Sequence, residues 1–396
     1  MRKILFSPPD ISEKEIKNVC NVMRSGWITT GPKVKEFENK ISDLCGSKGA
    51  ICMSSATSCM ELTLRLLGVG EGDEVITSPY TYTASCSVIC HVGAKPVMVD
   101  VSKNSLEMDY EKLYDSINER TKVIIPIDIG GILCDYDKIF DVVNSKKHIF
   151  KGNSRLQCSI GRVCVLSDSA HSFGSCREGK ISGSIADFTS FSFHAVKNLT
   201  TAEGGALVWN LDDESIYKDL SLLSLHGQNK DALAKTNSSN WEYDILTTGY
   251  KYNMTDISAS IGLAQLERFD ELISKRRRLC KIYNDLLGNE NIEIYQKNSC
   301  LNESTVHLYI IRINSRNEEW RNNLIKRLSE HGIHTNVHYK PLPMMTAYKN
   351  LGFDISDFPN SFEMYKNEIT LPLHTLMSEE DVEYVCACLK NEINKI

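Results

Sequence analysis

Three kinds of residue in this chain could share one piece of chemistry. The stretch FSFHAVKNLTTAEGG, residues 191–205, follows an apolar and aromatic run with a single lysine, Lys197, then small and hydroxylated residues. Burying an ammonium is costly. A lysine left partly desolvated has its neutral amine favoured, and that amine is a nucleophile towards aldehydes. The stretch VLSDSAHSFG closes a strand pattern with Asp168 and carries His171 three residues later. Open α/β sheets bind ligands at the carboxyl ends of their strands, so an acid there faces the crevice. Taken singly, Asp168 also suits a helix cap and His171 a satisfied core histidine. SSATSCMEL, residues 54–62, sets small residues between a strand and a helix. The N–H groups and positive dipole end of such a helix start make a phosphate site. A tight strand-to-helix turn needs small residues in any case, and no GKS or GKT follows.

An acid, an amine and a phosphate cradle at three sheet ends match the needs of pyridoxal 5'-phosphate. A carboxylate keeps the pyridine nitrogen protonated, so the ring works as an electron sink. An amine forms the Schiff base, and a helix start with hydroxyls holds the phosphate.

These groups need a sheet to position them. The first 250 residues alternate strand-like and helix-like patterns, the signature of a parallel sheet covered by helices. Short apolar runs predict strands at 50–55, 74–78, 96–101, 122–127, 163–168, 189–193 and 206–210. Continuous apolar runs suit strands covered on both faces. Ser12-Glu13-Lys14-Glu15 fits a capping box that opens a helix towards Met23, and a second helix is expected from about Thr57 to Leu67. Residues 144–162, polar and glycine-containing, read as an inserted surface loop. One long amphipathic helix is predicted from Asp256 to Leu287, then a strand at 307–313, a helix through EWRNNLIKRLSEHG and a last helix from Ser378. The expected fold is α/β, with a large domain at 1–255 around a mostly parallel seven-stranded sheet and a smaller C-terminal α+β domain at 256–396.

The bulk composition limits what else the chain does. It has 396 residues, 42% hydrophobic and 24% charged, with 51 acidic against 45 basic side chains. No basic run is interleaved with aromatics, so a nucleic-acid surface is unsupported; Lys275-Arg276-Arg277-Arg278 reads as a solvated helix face. No window approaches the ~18 apolar residues of a membrane span, and MRKILFSPPD is too short and too soon broken by prolines for a signal peptide. The expected location is the cytoplasm. Fourteen cysteines lie scattered in apolar runs without CxxC pairs, which suits reduced thiols rather than disulfides or a metal site.

Joint motifs then carry a resemblance. FSFHAVKNLTTAEGG, DSAHSFG, SGWITTGPKVKEFE, GDEVITSPYTYTAS and GYKYNMTDISASIGLAQL are similar, in the same order from about residue 5 to the C terminus, to the sugar-nucleotide aminotransferase family (DegT/DnrJ/StrS), pyridoxal-phosphate enzymes of fold type I. Within it the chain most resembles enzymes that aminate C4 of a UDP-4-keto sugar, such as the one making 4-amino-4-deoxy-L-arabinose. The resemblance implies that Lys197 is the Schiff-base lysine and the proton carrier, that Asp168 pairs with the pyridinium nitrogen and that His171 contacts the ring. It implies that Tyr82 stacks on the ring, that Ser192, Ala56 and Thr57 hold the phosphate, and that Asn253 reaches the phosphate of a neighbouring subunit in a homodimer. Thr30, His338 and Tyr339 are its implied substrate contacts. Relatives often carry Glu where this chain has Ser167 and His where it has Asp128.

The implied reaction runs through pyridoxamine 5'-phosphate. L-glutamate loads the amine, and a nucleotide-linked keto sugar takes it. The alternatives are a 3-aminotransferase, a sugar dehydratase of the same fold, whose relatives have His in place of the lysine, and a catalytically silent regulatory protein that binds the cofactor.

Overall fold

The computed structural model describes residues 2–229, 242–288, 291–296 and 302–395. Its centre is a seven-stranded sheet of β1 (Gly49–Met53), β2 (Glu74–Thr77), β3 (Lys95–Met98), β4 (Thr121–Ile125), β5 (Cys164–Asp168), β6 (Phe188–Ser192) and β7 (Gly205–Trp209). Their order is β3-β2-β4-β5-β6-β7-β1. The pairs β3–β2, β2–β4, β4–β5 and β5–β6 are parallel; β7 runs antiparallel to both β6 and β1. Six strands thus share a direction, and their carboxyl ends open along one edge. Every residue of β4 and β5 is buried, the condition that selects Val- and Ile-rich runs without alternation. All seven predicted strands are present.

The helix Glu13–Ser25 starts at the expected Ser12/Glu15 capping box. The single long helix expected from Asp256 is two, Asp256–Glu267 and Phe269–Leu287. The break falls at Arg268, whose guanidinium donates to Asp10 (2.8 Å) and Glu15 (3.1 Å) on the N-terminal segment. That tertiary anchor overrides the continuous apolar period. The 144–162 stretch is not a bare loop either. It holds the end of a helix (Tyr136–Ser145), a 3-10 turn (Lys147–Ile149) and a helix (Arg155–Ile160). The side chains of Ser154 and Gln157 both donate to the Leu67 carbonyl at 2.7 Å, satisfying the open C-terminal end of the helix Ala56–Leu66.

The C-terminal part builds a three-stranded antiparallel sheet from Ile292–Ile294, Tyr309–Ile313 and Glu368–Leu371. The helices Glu318–Glu330 and Glu379–Asn394 close its core, which also takes in Ile4. The N-terminal segment is clasped there: Ile4 N–H donates to Gly332 O (2.8 Å) and His334 N–H to Ile4 O (3.0 Å). Among the described residues no helix is long and apolar enough to cross a membrane and no residue cluster suits a metal. Thirteen cysteines are described, all free thiols; Cys300 lies outside the described residues.

Candidate active site

A cavity of about 770 Å³ sits at the carboxyl ends of the parallel strands. Nine sequence-derived residues line it: Ala56, Thr57, Tyr82, Asp168, His171, Ser192, Lys197, His338 and Tyr339. Asn253 and Thr30 do not; they line a separate pocket of about 280 Å³.

Asp168 ends β5 and is buried. Burial raises its carboxyl above the usual value, against the Ser85 hydroxyl at 2.6 Å, the Ala170 N–H at 3.2 Å and the Lys197 charge. Two donors leave most of an ionised carboxylate's acceptor capacity open. Lys197 follows β6 in a turn closed by its own N–H to His194 O. Desolvation lowers its ammonium to about 8, with Asp168 opposing. The two groups feel each other's charge, yet among the described residues no ion pair of 4.0 Å or less joins them. The amine and the acid thus face the same cavity without being joined to each other.

The third corner is the start of the helix Ala56–Leu66. Ser55 caps it, accepting from Ser58 N–H at 3.0 Å, which leaves the N–H groups of Ala56 and Thr57 among the open donors of the first turn. β7 comes against this turn at Gly205, where a Cβ would lie 2.5 Å from Ala56 N and 2.8 Å from Phe191 O. Only glycine permits that approach, and Ser192, paired with Gly205 across the sheet, brings its hydroxyl to the same end.

The opposite wall comes from the C-terminal part. Gly130 N–H donates to His171 Nδ1 (3.1 Å), so the neutral ring carries its proton on Nε2 and donates to the Tyr339 hydroxyl (3.1 Å). Burial, then the charges of Lys197 and His338, hold His171 well below its ordinary value. Tyr82 is exposed, and its ring centroid lies 6.2 Å from that of Tyr339.

Sequence reasoning missed four residues here. His307, just before the strand Tyr309–Ile313, lines the cavity 4.5 Å from the His171 ring and bonds through Nδ1 to the Asn198 side chain beside Lys197. Ser85, the main partner of Asp168, was within the quoted PYTYTAS motif; an i+3 hydroxyl after an exposed aromatic was its only signal. Glu368 and Thr370, behind His338, gave none. The two departures from the resemblance prove to be neighbours: Ser167 Oγ donates to Asp128 Oδ2 at 3.4 Å. Asp128 does not line the cavity.

Thr30 and Asn253 form a pair of their own. Asn253 donates to the Thr30 hydroxyl at 2.6 Å, which donates to Met254 O at 2.6 Å, while Lys251 Nζ donates to Asn253 Oδ1 at 2.6 Å. Thr30 is therefore a support for Asn253 rather than a wall of the main cavity.

The chain has well-matched relatives. It is 52% identical to Spr1654 of Streptococcus pneumoniae, assigned as a sugar aminotransferase and solved in its PMP form, with a TM-score of 0.97 over 99% of this chain and 100% of that one. Helicobacter pylori PseC, an aminotransferase of pseudoaminic acid biosynthesis, superposes with a TM-score of 0.88 at 27% identity, covering both chains fully. SpsC of Bacillus subtilis, a spore coat polysaccharide biosynthesis protein, is 35% identical over 390 residues, 98% of this chain and 96% of its own. The resemblance carried by the motifs holds across the chain. Residues 9–390 match the model of one family, and the chain belongs to it: the DegT/DnrJ/EryC1/StrS aminotransferase family.

Proposed function

We propose that this chain is a pyridoxal-phosphate-dependent aminotransferase that moves an amino group from L-glutamate to a nucleotide-linked keto sugar, with C4 of a UDP-4-keto sugar as the acceptor, in the making of amino sugars for surface polysaccharide. The observation that carries this reading is the convergence of the Lys197 amine, the Asp168 carboxylate and the capped helix start at Ala56 on one cavity. The donor set fits the cofactor: an amine without a partner among the described residues, an acid with acceptor capacity to spare and a backbone cradle that a Cβ at position 205 would fill. The solved forms of Spr1654, with PMP and with PLP, support it.

When bound, the cofactor supplies an aldehyde and an electron sink. Asp168 would hold a proton on the ring nitrogen by its charge. Ala56, Thr57 and Ser192 would hold its phosphate, and Tyr82 and His171 would contact its ring. Lys197, whose ammonium desolvation brings to about 8, would supply the amine that the aldehyde needs and the group that moves a proton at the reacting carbon. Asn253, oriented by Thr30 and Lys251, reaches the phosphate of a second copy, so the active unit is a cytoplasmic homodimer with shared sites. Residues 1–255 form the cofactor-holding unit and 256–396 the unit that closes the substrate side.

The rivals have less to stand on. Lys197 stands where dehydratases of this fold carry His, and a silent binder would need neither Lys197 nor Asp168. Two measurements decide. The absorbance band of the loaded protein should shift on adding L-glutamate, and mass spectrometry should find amination at C4 among UDP- and dTDP-linked 3-keto and 4-keto sugars. No band shift with any amino acid removes the transaminase reading; amination only at C3 removes the positional one.

A further inference from the structure

His338 is held by more contacts than a wall residue needs. Its segment pairs with the strand Glu368–Leu371 through Asn336 and Thr370, with backbone bonds of 2.8 and 3.1 Å. Tyr80 donates to its carbonyl at 3.0 Å, and Phe6 stacks on its ring at 5.6 Å. Behind the ring lies Glu368, fully buried, which accepts the His338 N–H at 2.9 Å on one oxygen and the Thr370 hydroxyl at 2.6 Å on the other. The Thr370 hydroxyl in turn meets His338 Nδ1 at 2.9 Å.

This chain has one direction when the carboxylate is ionised. A carboxylate only accepts, so the single proton of the Thr370 hydroxyl is committed to Glu368. Thr370 can then meet the imidazole only as an acceptor, and the proton of that bond sits on His338 Nδ1. A neutral imidazole protonated at Nδ1 has a bare lone pair at Nε2. Burial, then the Lys197 charge, takes His338 down to about 3, so the ring is neutral. Nε2 has no hydrogen-bond partner among the described residues, and the side chain lines the cavity close enough to Lys197 to feel its charge.

We infer that Glu368 in its ionised form, acting through Thr370, locks His338 as the Nδ1–H tautomer, so that its Nε2 accepts a hydrogen bond from a sugar hydroxyl beside the carbon that Lys197 serves. The hydroxyl donor rests on the functional reading above; the tautomer does not. Glu368 and Thr370 are positioning residues, and His338 is the group that selects for a hydroxyl over a hydrogen or an ether at that sugar position.

The test reads the tautomer directly. Burial lifts the Glu368 carboxyl to about 8, opposed by Thr370, His338 N–H and the Arg321 charge, so the measurement is made at pH 9. In ¹⁵N-histidine NMR of the cofactor-loaded protein, with His338→Gln identifying the signals, the proton should be on Nδ1. In Glu368→Gln the amide oxygen must still take the His338 N–H, which turns the amide NH₂ to Thr370, reverses the chain and moves the proton to Nε2. The sugar half-reaction should then fall about tenfold in kcat/KM relative to the amino-acid half-reaction, the size of one lost hydrogen bond, mostly in KM. Thr370→Val cuts the chain while keeping its shape; it should lose the same factor and give a mixed tautomer even if Glu368→Gln fails to fold. A wild-type proton on Nε2, or both variants leaving the tautomer and the half-reaction ratio unchanged, overturns the inference and leaves the functional reading standing. A wild-type proton on Nδ1 together with inactivity on every keto sugar overturns the functional reading and the hydroxyl assignment with it.

Discussion

Asp128 and Asp168 are two buried carboxylates at the ends of neighbouring strands, tied by Asp128 N–H to Asp168 O at 3.1 Å. Burial raises both, and hydrogen bonds pull both back. They differ in how completely they are partnered. Asp128 accepts from Cys134 N–H, Tyr136, Ser169, Ser172 and Ser167, five donors at 2.7–3.4 Å. Among the described residues Asp168 has the donors Ser85 and Ala170 N–H alone, and it faces the cavity. A filled set of donors makes a carboxylate a structural post; an unfilled one leaves capacity for a ligand. The residue types are identical, so chemistry is marked here by incomplete satisfaction rather than by identity or depth.

Substitutions can break that contrast. Asp128→Ala strands five donors and should cost about 3–5 kcal/mol of stability, the usual result of breaking a buried polar network, read as a lower urea midpoint. Asp168→Asn should leave the midpoint near wild type and lower kcat by ~10²–10³-fold, since the ring nitrogen loses its charge partner; a loss confined to stability would equate the two acids. Ser85→Ala removes one of two donors to Asp168 and should cost about tenfold in kcat, whereas Ser172→Ala, which takes one of five from Asp128, should leave kcat within about twofold.

The smallest effect is a pH dependence. The folded Lys197 titrates near 8 against an ordinary 10.5. Between those values the unfolded chain binds more protons than the folded one, so the stability of the cofactor-free protein rises with pH across that window, and below it the cost of the buried ammonium is fully present. Lys197→Met removes the slope: its stability gain over wild type should be largest below pH 8 and shrink towards pH 10.5. A gain that is constant with pH would mean that Lys197 is not desolvated.

Local signals made the large sheet, Lys197, Asp168 and the Ala56 turn legible, because each is a short apolar run followed by one polar residue out of place. What stayed hidden depends on distant partners. Nothing near Arg268 announces Asp10 and Glu15, so the apolar period ran through a helix break. Leu156 and Gln157 are two buried side chains in a polar stretch, too few to show that 144–162 caps another helix. His307, Glu368 and Thr370 sit in or beside an apolar strand of the small sheet, where a polar residue reads as an edge; only the fold turns them to the cavity. Thr30 reads as a substrate contact but lies with Asn253 in a pocket apart from the main cavity.

Phe6 stacking on His338 has a consequence for how the protein is made. The groups proposed to hold a chain's own cofactor are all synthesised by residue 205, whereas the wall that would choose the sugar awaits residue 338 and its later strand partner. At ribosomal speeds of ~5–20 residues per second the interval is on the order of ten seconds. On the proposed roles, a nascent chain owns its reactive lysine before it owns any means of discriminating what that lysine will meet.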